Sequence, residues 1–197
     1  MGREGGRRQE DRREEILRAA FDVFAERGYH RASIATIAER VGLSQQGVLH
    51  YFPSKRLLLA EVLRLRDQRN FIELLGQGGA LDLDTTANLV EYNTTQRGLV
   101  QSFTVLSAES VTEGHPARGF FEERYARSRQ AFAEQIEEEL GDRLPAGLTA
   151  EQAATLALAV MDGLQLQWLL DSTDGIDMPA LFRAFLALLR SGGAESP

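Results

Sequence analysis

Apolar residues along the chain recur at spacings of three and four, broken by glycines, prolines and short hydroxyl side chains, so the pattern predicts helices throughout. Ile16, Leu17, Ala20, Phe21 and Phe24 mark a first helix over Asp11 to Arg27, which Gly28 ends. Ile34, Ile37, Ala38 and Val41 share one face of a short second helix capped by Ser33; Gly42 stops it and Leu43 plugs the turn. Ser44 caps a third helix, with Val48 and Tyr51 on its inner face. A long helix from Ser54 to about Leu75 follows, its middle (RLRDQRN) strongly polar, and Gly76-Gln77-Gly78-Gly79 closes it. Further on, Asp84 is expected to cap a helix holding Leu89, Val90 and Tyr92. Gly98 precedes another with Phe103 and Leu106, and Glu113 to Pro116 forms a turn. Phe121, Tyr125, Phe132, Ile136 and Leu140 then mark a helix that runs to a loop over Gly141 to Gly147. Thr149 and Gln152 make a capping box for a helix to Leu170, and Pro179 opens the last one. The expected fold class is all-α.

Residues 34–52, IATIAERVGLSQQGVLHYF, describe a helix-turn-helix: apolar anchors, small Ala38 and Gly42 where the helices meet, then new anchors. Such a motif sets its second helix in a DNA major groove. The outer face of that helix carries Ser44, Gln45, Gln46, Gly47 and His50, with no acidic group. Glutamine can pair with adenine, serine can bond several bases or phosphate, and glycine lets backbone approach the base edges. Pro53-Ser54-Lys55 opens the next helix, where free backbone donors and a lysine charge suit a phosphate. An ordinary two-helix corner with a polar face has the same bare pattern.

Charge separates these readings. The whole chain is acidic, at −7, yet residues 1–66 hold 13 Lys+Arg against 9 Asp+Glu, and the remainder 9 against 20. Attraction to phosphate is therefore concentrated at one end. With 197 residues, 43% hydrophobic and 26% charged, the composition is that of a soluble globular protein of one or two domains. Absence of cysteine excludes disulfides and thiolate metal sites. No apolar run was expected to reach the length of a membrane span, and the N-terminus lacks the apolar core of a signal peptide, so a cytoplasmic protein with no membrane partner is expected.

GYHRASIATIAERVGLSQQGVLHYFPSKRLLL resembles the N-terminal DNA-binding domain of TetR-family transcriptional regulators. Gly28-Tyr29, Ile37-Ala38, Gly42-Leu43-Ser44 and Tyr51-Phe52-Pro53-Ser54-Lys55 carry the likeness, over about the first third of the chain. The family usually has a tyrosine at the place of Leu49, whose hydroxyl touches DNA phosphate, and often a threonine at Gly47. The resemblance implies a homodimeric repressor that a small molecule releases from a palindromic operator. The expected organisation is a disordered basic arm over 1–9, a helix-turn-helix domain over 10–53 with the linking helix continuing to about 66, and a helical effector-binding and dimerisation domain over 54–197. Expected DNA contacts are Lys55 and Tyr51 on phosphates with His50 beside them, Ser44, Gln45, Gln46 and Gly47 at base edges, and Arg31, Ser33 and Thr36 near the backbone. Leu156, Val160, Leu164, Phe182, Phe185 and Leu189 are expected at the subunit interface. Phe71, Tyr92, Phe103, Leu106, Phe121, Tyr125, Gln165 and Trp168 are candidates to line an effector cavity for an apolar or aromatic ligand.

Other chemistries find little support. The glycines at 76–79 have no preceding strand and no following Gly-Lys-Ser/Thr, so they are not a phosphate loop. His115 beside Glu113 lacks further spaced ligands, so neither metal nor cofactor is expected. An enzyme would need a triad or paired carboxylates, which the sequence does not offer. A helical adaptor without DNA binding leaves the basic end unexplained, whereas a TetR-like activator fits the same residues.

Overall fold

The computed structural model describes residues 2–76, 82–141, 144–173 and 175–192, with side chains left out at 2–8, 66 and 68–76. Among the described residues there are nine α-helices and no strand: α1 Gly2–Arg31, α2 Ile34–Arg40, α3 Gln45–Tyr51, α4 Lys55–Gly76, α5 Leu83–Thr94, α6 Arg97–Ser110, α7 Arg118–Leu140, α8 Ala150–Leu170 and α9 Met178–Ser191. They form two compact units, one of Met1–Arg69 with Gln101–Phe120 and the other of Asn70–Val100 with Phe121–Pro197. The sequence places the division at residue 54, with the linking helix continuing to about 66. Most of α6 and the loop after it belong with the helix-turn-helix, because Ser102, Phe103 and Leu106 are buried there.

In the first unit the core is built from Ile16, Ala20, Val23 and Phe24 of α1, Ile37 and Ala38 of α2, Val48 of α3, and Leu58, Leu59 and Val62 of α4. Each large side chain taken out of water in this way contributes roughly 1.5–3 kcal/mol. Gly28 interrupts α1 as expected, at φ +69°. Residues 2–9, expected as an arm without regular structure, instead continue α1. Adding turns to an existing helix gains one hydrogen bond per residue without a new nucleation cost. The exit of α2 is a Schellman motif: Leu43 N–H donates to Ala38 O (2.9 Å), Gly42 N–H to Glu39 O (3.2 Å), and Gly42 has φ +63°.

The second unit packs α5 and α8 against α9, around Leu83, Val90, Ile136, Ala153, Ala154, Ala157, Met178, Phe182, Leu186 and Leu189. Asp82, not Asp84, caps α5, accepting from Thr85 N–H at 2.7 Å. Asp84 instead bonds Arg190 of α9, one turn-pair from the Glu91–Arg183 pair, which fixes α5 antiparallel to α9. The capping box at Thr149 and Gln152 is present in full. Between α8 and α9 the Asp171 carboxylate accepts from Thr173 N–H (2.8 Å), Thr173 Oγ1 (2.7 Å) and Ile176 N–H (2.8 Å). Bonding from Thr173 above all holds its pKa down to about 2. Contrary to expectation, α8 is long and apolar enough, by length and composition, to cross a membrane. One face of it is accounted for by Ala153, Ala154 and Ala157 in the core.

Candidate nucleic-acid interface

Three serines set the local geometry. Ser33 Oγ accepts from Thr36 N–H (3.1 Å) at the start of α2, Ser44 Oγ from Gly47 N–H (3.0 Å) at α3, and Ser54 Oγ from Leu57 N–H (3.2 Å) at α4. Each satisfies a backbone donor that a helix start leaves open, worth about 1 kcal/mol. Buried Val48, followed by Phe52 just past the helix end, anchors α3 from below. Ser44, Gln45, Gln46 and His50 are left exposed together, as the sequence pattern requires. His50 lies edge-on to the half-buried Tyr51, ring centres 5.6 Å apart.

Gly47 has an ordinary helical backbone. A methyl group there would meet Ser44 Oγ at 3.4 Å and Leu43 Cβ at 3.5 Å, so the fold itself tolerates a side chain at this position. Thr36 Oγ1 is bonded to Ser33 Oγ (2.9 Å), while Arg31 is exposed. Arg40 forks onto Glu26 with two 2.8 Å bonds, tying α2 to α1 and holding the Glu26 carboxyl below the usual range. Arg13 of α1 bonds Glu61 of α4 (2.6 Å) and lies over the Phe52 ring.

Lys55 is placed differently from the expectation. Its Nζ donates to Tyr29 O (2.9 Å) and Ala32 O (3.0 Å) and sits 4.2 Å from the centre of the Tyr29 ring. Burial lowers its pKa, and nearby Glu109 opposes that shift. Two of three ammonium donors thus cap the end of α1 rather than face solvent. Its first task is to staple α4 to the α1–α2 junction. A sequence cannot show this, because the two carbonyls are 26 and 23 residues away.

The remaining site candidates divide between the units. Phe103 and Leu106 are buried in the first. Phe121 and Gln165 are buried in the second, and Tyr92, Tyr125 and Trp168 are half-buried there. Tyr125 donates to Asp162 (2.6 Å), and Arg97 lies 4.7 Å over the Trp168 ring while bonding Leu169 O. The side chain of Phe71 lies outside the described residues. Among the described residues no group of three metal-ligating side chains converges.

Two of the expected interface residues are corrected. Phe182 (0% exposed) and Leu189 (4%) face inward, on a buried stripe with Met178 and Leu186. The large apolar side chains that α9 leaves open are Leu181 and Leu188, with Phe185 half-buried beside them. On α8 the open stripe is Leu156, Ala159, Leu166 and Leu170, interrupted by half-buried Gly163 and flanked by half-buried Val160 and Leu164.

Comparison with known proteins agrees with this geometry. Residues 16–62 match the model for bacterial regulatory proteins of the TetR family, and residues 86–191 match that for the C-terminal part of BetI-type transcriptional repressors. The chain belongs to the TetR family of transcriptional regulators. Among curated members it is 47% identical over 49 residues to the transcriptional regulator RutR of Escherichia coli K12, covering 25% of this chain and 23% of that protein. It is also 45% identical over 53 residues to the regulator BetI of Stenotrophomonas maltophilia, 27% of either chain. The match therefore spans about a quarter of these relatives' length. A TetR-family regulator from Rhodococcus shares the fold at TM-score 0.74 and 20% identity, over 92% of this chain and all of that one. A regulator from Saccharomonospora viridis, solved in complex with choline, has TM-score 0.74 and 25% identity over 90% of this chain and 95% of that one.

Proposed function

We propose that the protein is a homodimeric, cytoplasmic transcriptional repressor whose two α3 helices read a palindromic DNA operator and which a small molecule releases. The observation that carries the reading is the α3 surface. Ser44, Gln45, Gln46 and His50 stand exposed without an acid among them, on a helix fixed by a serine cap and buried Val48. Glutamines offer paired bonds to adenine, and the excess of positive charge within residues 1–66 supplies the sequence-independent attraction. The two open leucine stripes of α8 and α9 suit a two-fold contact between copies, which half-sites one DNA turn apart require. The family includes activators too: FasR of Mycolicibacterium smegmatis is one, at 43% identity over 56 residues.

An effector acts by binding better to a dimer whose recognition helices are wrongly spaced. A hundredfold preference supplies about 2.7 kcal/mol against operator binding, and operator must weaken that effector equally. Choline is the first compound to test. The neighbour solved with it is 25% identical over 90% of this chain, and the C-terminal part matches the model for BetI-type repressors. Gel shifts on the DNA flanking its own gene, at several salt concentrations and with or without choline, test both parts. Binding that falls steeply with salt supports the regulator; no binding at any salt overturns it in favour of a protein adaptor.

A further inference from the structure

A second cluster of ionisable groups lies in the first unit, beside the junction that leads into the helix-turn-helix. Where α1 breaks at Gly28, the Glu109 carboxylate from the last turn of α6 rests directly on the glycine. A Cβ at residue 28 would stand 2.1 Å from Glu109 Oε1 and 2.8 Å from its Cδ. Gly28 therefore provides a notch as well as the positive φ. Within it, Glu109 Oε2 accepts from Tyr29 N–H at 2.6 Å.

His115 packs over this contact. Its side chain is fully buried, its ring edge-on to Tyr29 (5.2 Å) and His30 (5.5 Å). Nδ1 accepts from Ala117 N–H at 3.2 Å, so the ring proton of the neutral form is on Nε2. Nε2 has no hydrogen-bond partner, and Glu109 Oε2 is 3.8 Å from it. A second proton would have to enter at Nδ1, against the Ala117 N–H. Protonation thus removes the ring's bond to Ala117 N–H while drawing the new cation toward Glu109. Charged or titratable groups facing His115 are Glu109 from α6 and Tyr29 and His30 from α1, with Lys55 from α4 behind the Tyr29 ring.

We propose that Glu109 is a positioning residue for operator recognition, a carboxylate key whose seat on Gly28 and Tyr29 sets the α1–α2 junction, and that His115 makes this seat sensitive to protons. The proposal rests on the DNA-binding reading. Burial disfavours the charged imidazole, Glu109 partly offsets that, and His30 adds to it, so His115 is neutral at pH 7 and gains its proton only below its ordinary range. The neutral form is the one compatible with the seat, so its contribution is complete above about pH 6.5 and fades as the pH falls.

The test uses the full-length protein and the tightest duplex it selects from a random library, with a random-sequence duplex of equal length as control. At pH 7.5, Glu109→Ala is expected to weaken the selected duplex about tenfold, the scale of one charge-assisted hydrogen bond, and to leave the control unchanged, with folding verified by circular dichroism. Glu109→Gln, which keeps an acceptor for Tyr29, recovers part of that loss. As the pH is lowered from 7.5 to the acid limit of folding, the preference for the selected duplex falls with His115 in place and stays level in His115→Phe; both proteins carry His50→Gln, which removes the imidazole from α3. The Tyr29 amide resonance gives a readout free of DNA: it moves with pH in the wild type and not in His115→Phe. Equal loss on both duplexes, or a Tyr29 resonance indifferent to His115, overturns the proposal. Failure of the wild type to select any duplex overturns the DNA-binding reading instead, and the Tyr29 resonance still decides the seat.

Discussion

The two units treat their surfaces in opposite ways. The helix-turn-helix buries Ile37, Val48 and Phe52 and turns amides, hydroxyls and an imidazole outward on α3. The second unit already has a closed core around Met178, Phe182 and Leu186, yet leaves Leu170 76% and Leu188 67% exposed. A surface that exchanges water for base edges needs polar groups, and the lack of acids on it avoids repulsion from the phosphates beside them. Leucines left open to water carry a hydrophobic cost that covering by a second copy would remove. The contrast is the basis for proposing α3 as the DNA-reading face and the leucine stripes as the contact between copies.

Breaking the apolar side should have the largest effect. Leu166→Glu with Leu188→Glu is expected to give monomers by sedimentation and, through lost bivalency, to weaken operator binding by on the order of a hundredfold; a dimer of unchanged stability would remove this face from the interface. On the polar side, Gln46→Ala is expected to cost about 1–3 kcal/mol of discrimination at one base pair, measured against single-base variants of the selected duplex. If all variants weaken alike, Gln46 reads no base. Lys55→Met tests a side chain that is tied to the Tyr29 and Ala32 carbonyls and was also expected at a phosphate. It should destabilise the first unit by about 1–2 kcal/mol through two carbonyls losing a charged donor, while changing the salt slope of DNA binding by less than the roughly 0.9 that one phosphate contact contributes. A slope change near that value would restore it to the phosphate-binding set. Gly47→Ala should be the mildest: a gain of about 0.5–1 kcal/mol in unfolding free energy, because a methyl group fits there at ordinary contact distance.

Local chemistry was legible in the sequence. Ser33, Ser44 and Thr149 act as caps where hydroxyl residues precede apolar periodicity, and Gly28 and Gly42 break helices at positive φ. Which face of a helix turns inward was not always legible. On α9, Leu181, Phe182, Phe185, Leu186, Leu188 and Leu189 cover so much of the circumference that spacing alone does not choose between Phe182 and Leu181. Only the packing of α5 and α8 decides it. Long-range polar contacts were invisible for another reason. Lys55 finds carbonyls and Glu109 finds a notch only after distant segments meet, and no local pattern marks such partners. Gly28 was read as a helix stop; its second use, as space for a carboxylate, appears only in three dimensions.

The manner in which α3 is mounted has a further consequence. Its cap, the Schellman turn of α2 before it and its buried anchors all lie at its ends or on its underside, so Gln45 and Gln46 carry none of these and His50 only an edge contact with Tyr51. Reading and folding are thereby separable. A library randomised at those three positions should yield mostly well-folded proteins with altered sequence preferences, and a lineage can move to a new operator by few substitutions without passing through an unstable ancestor.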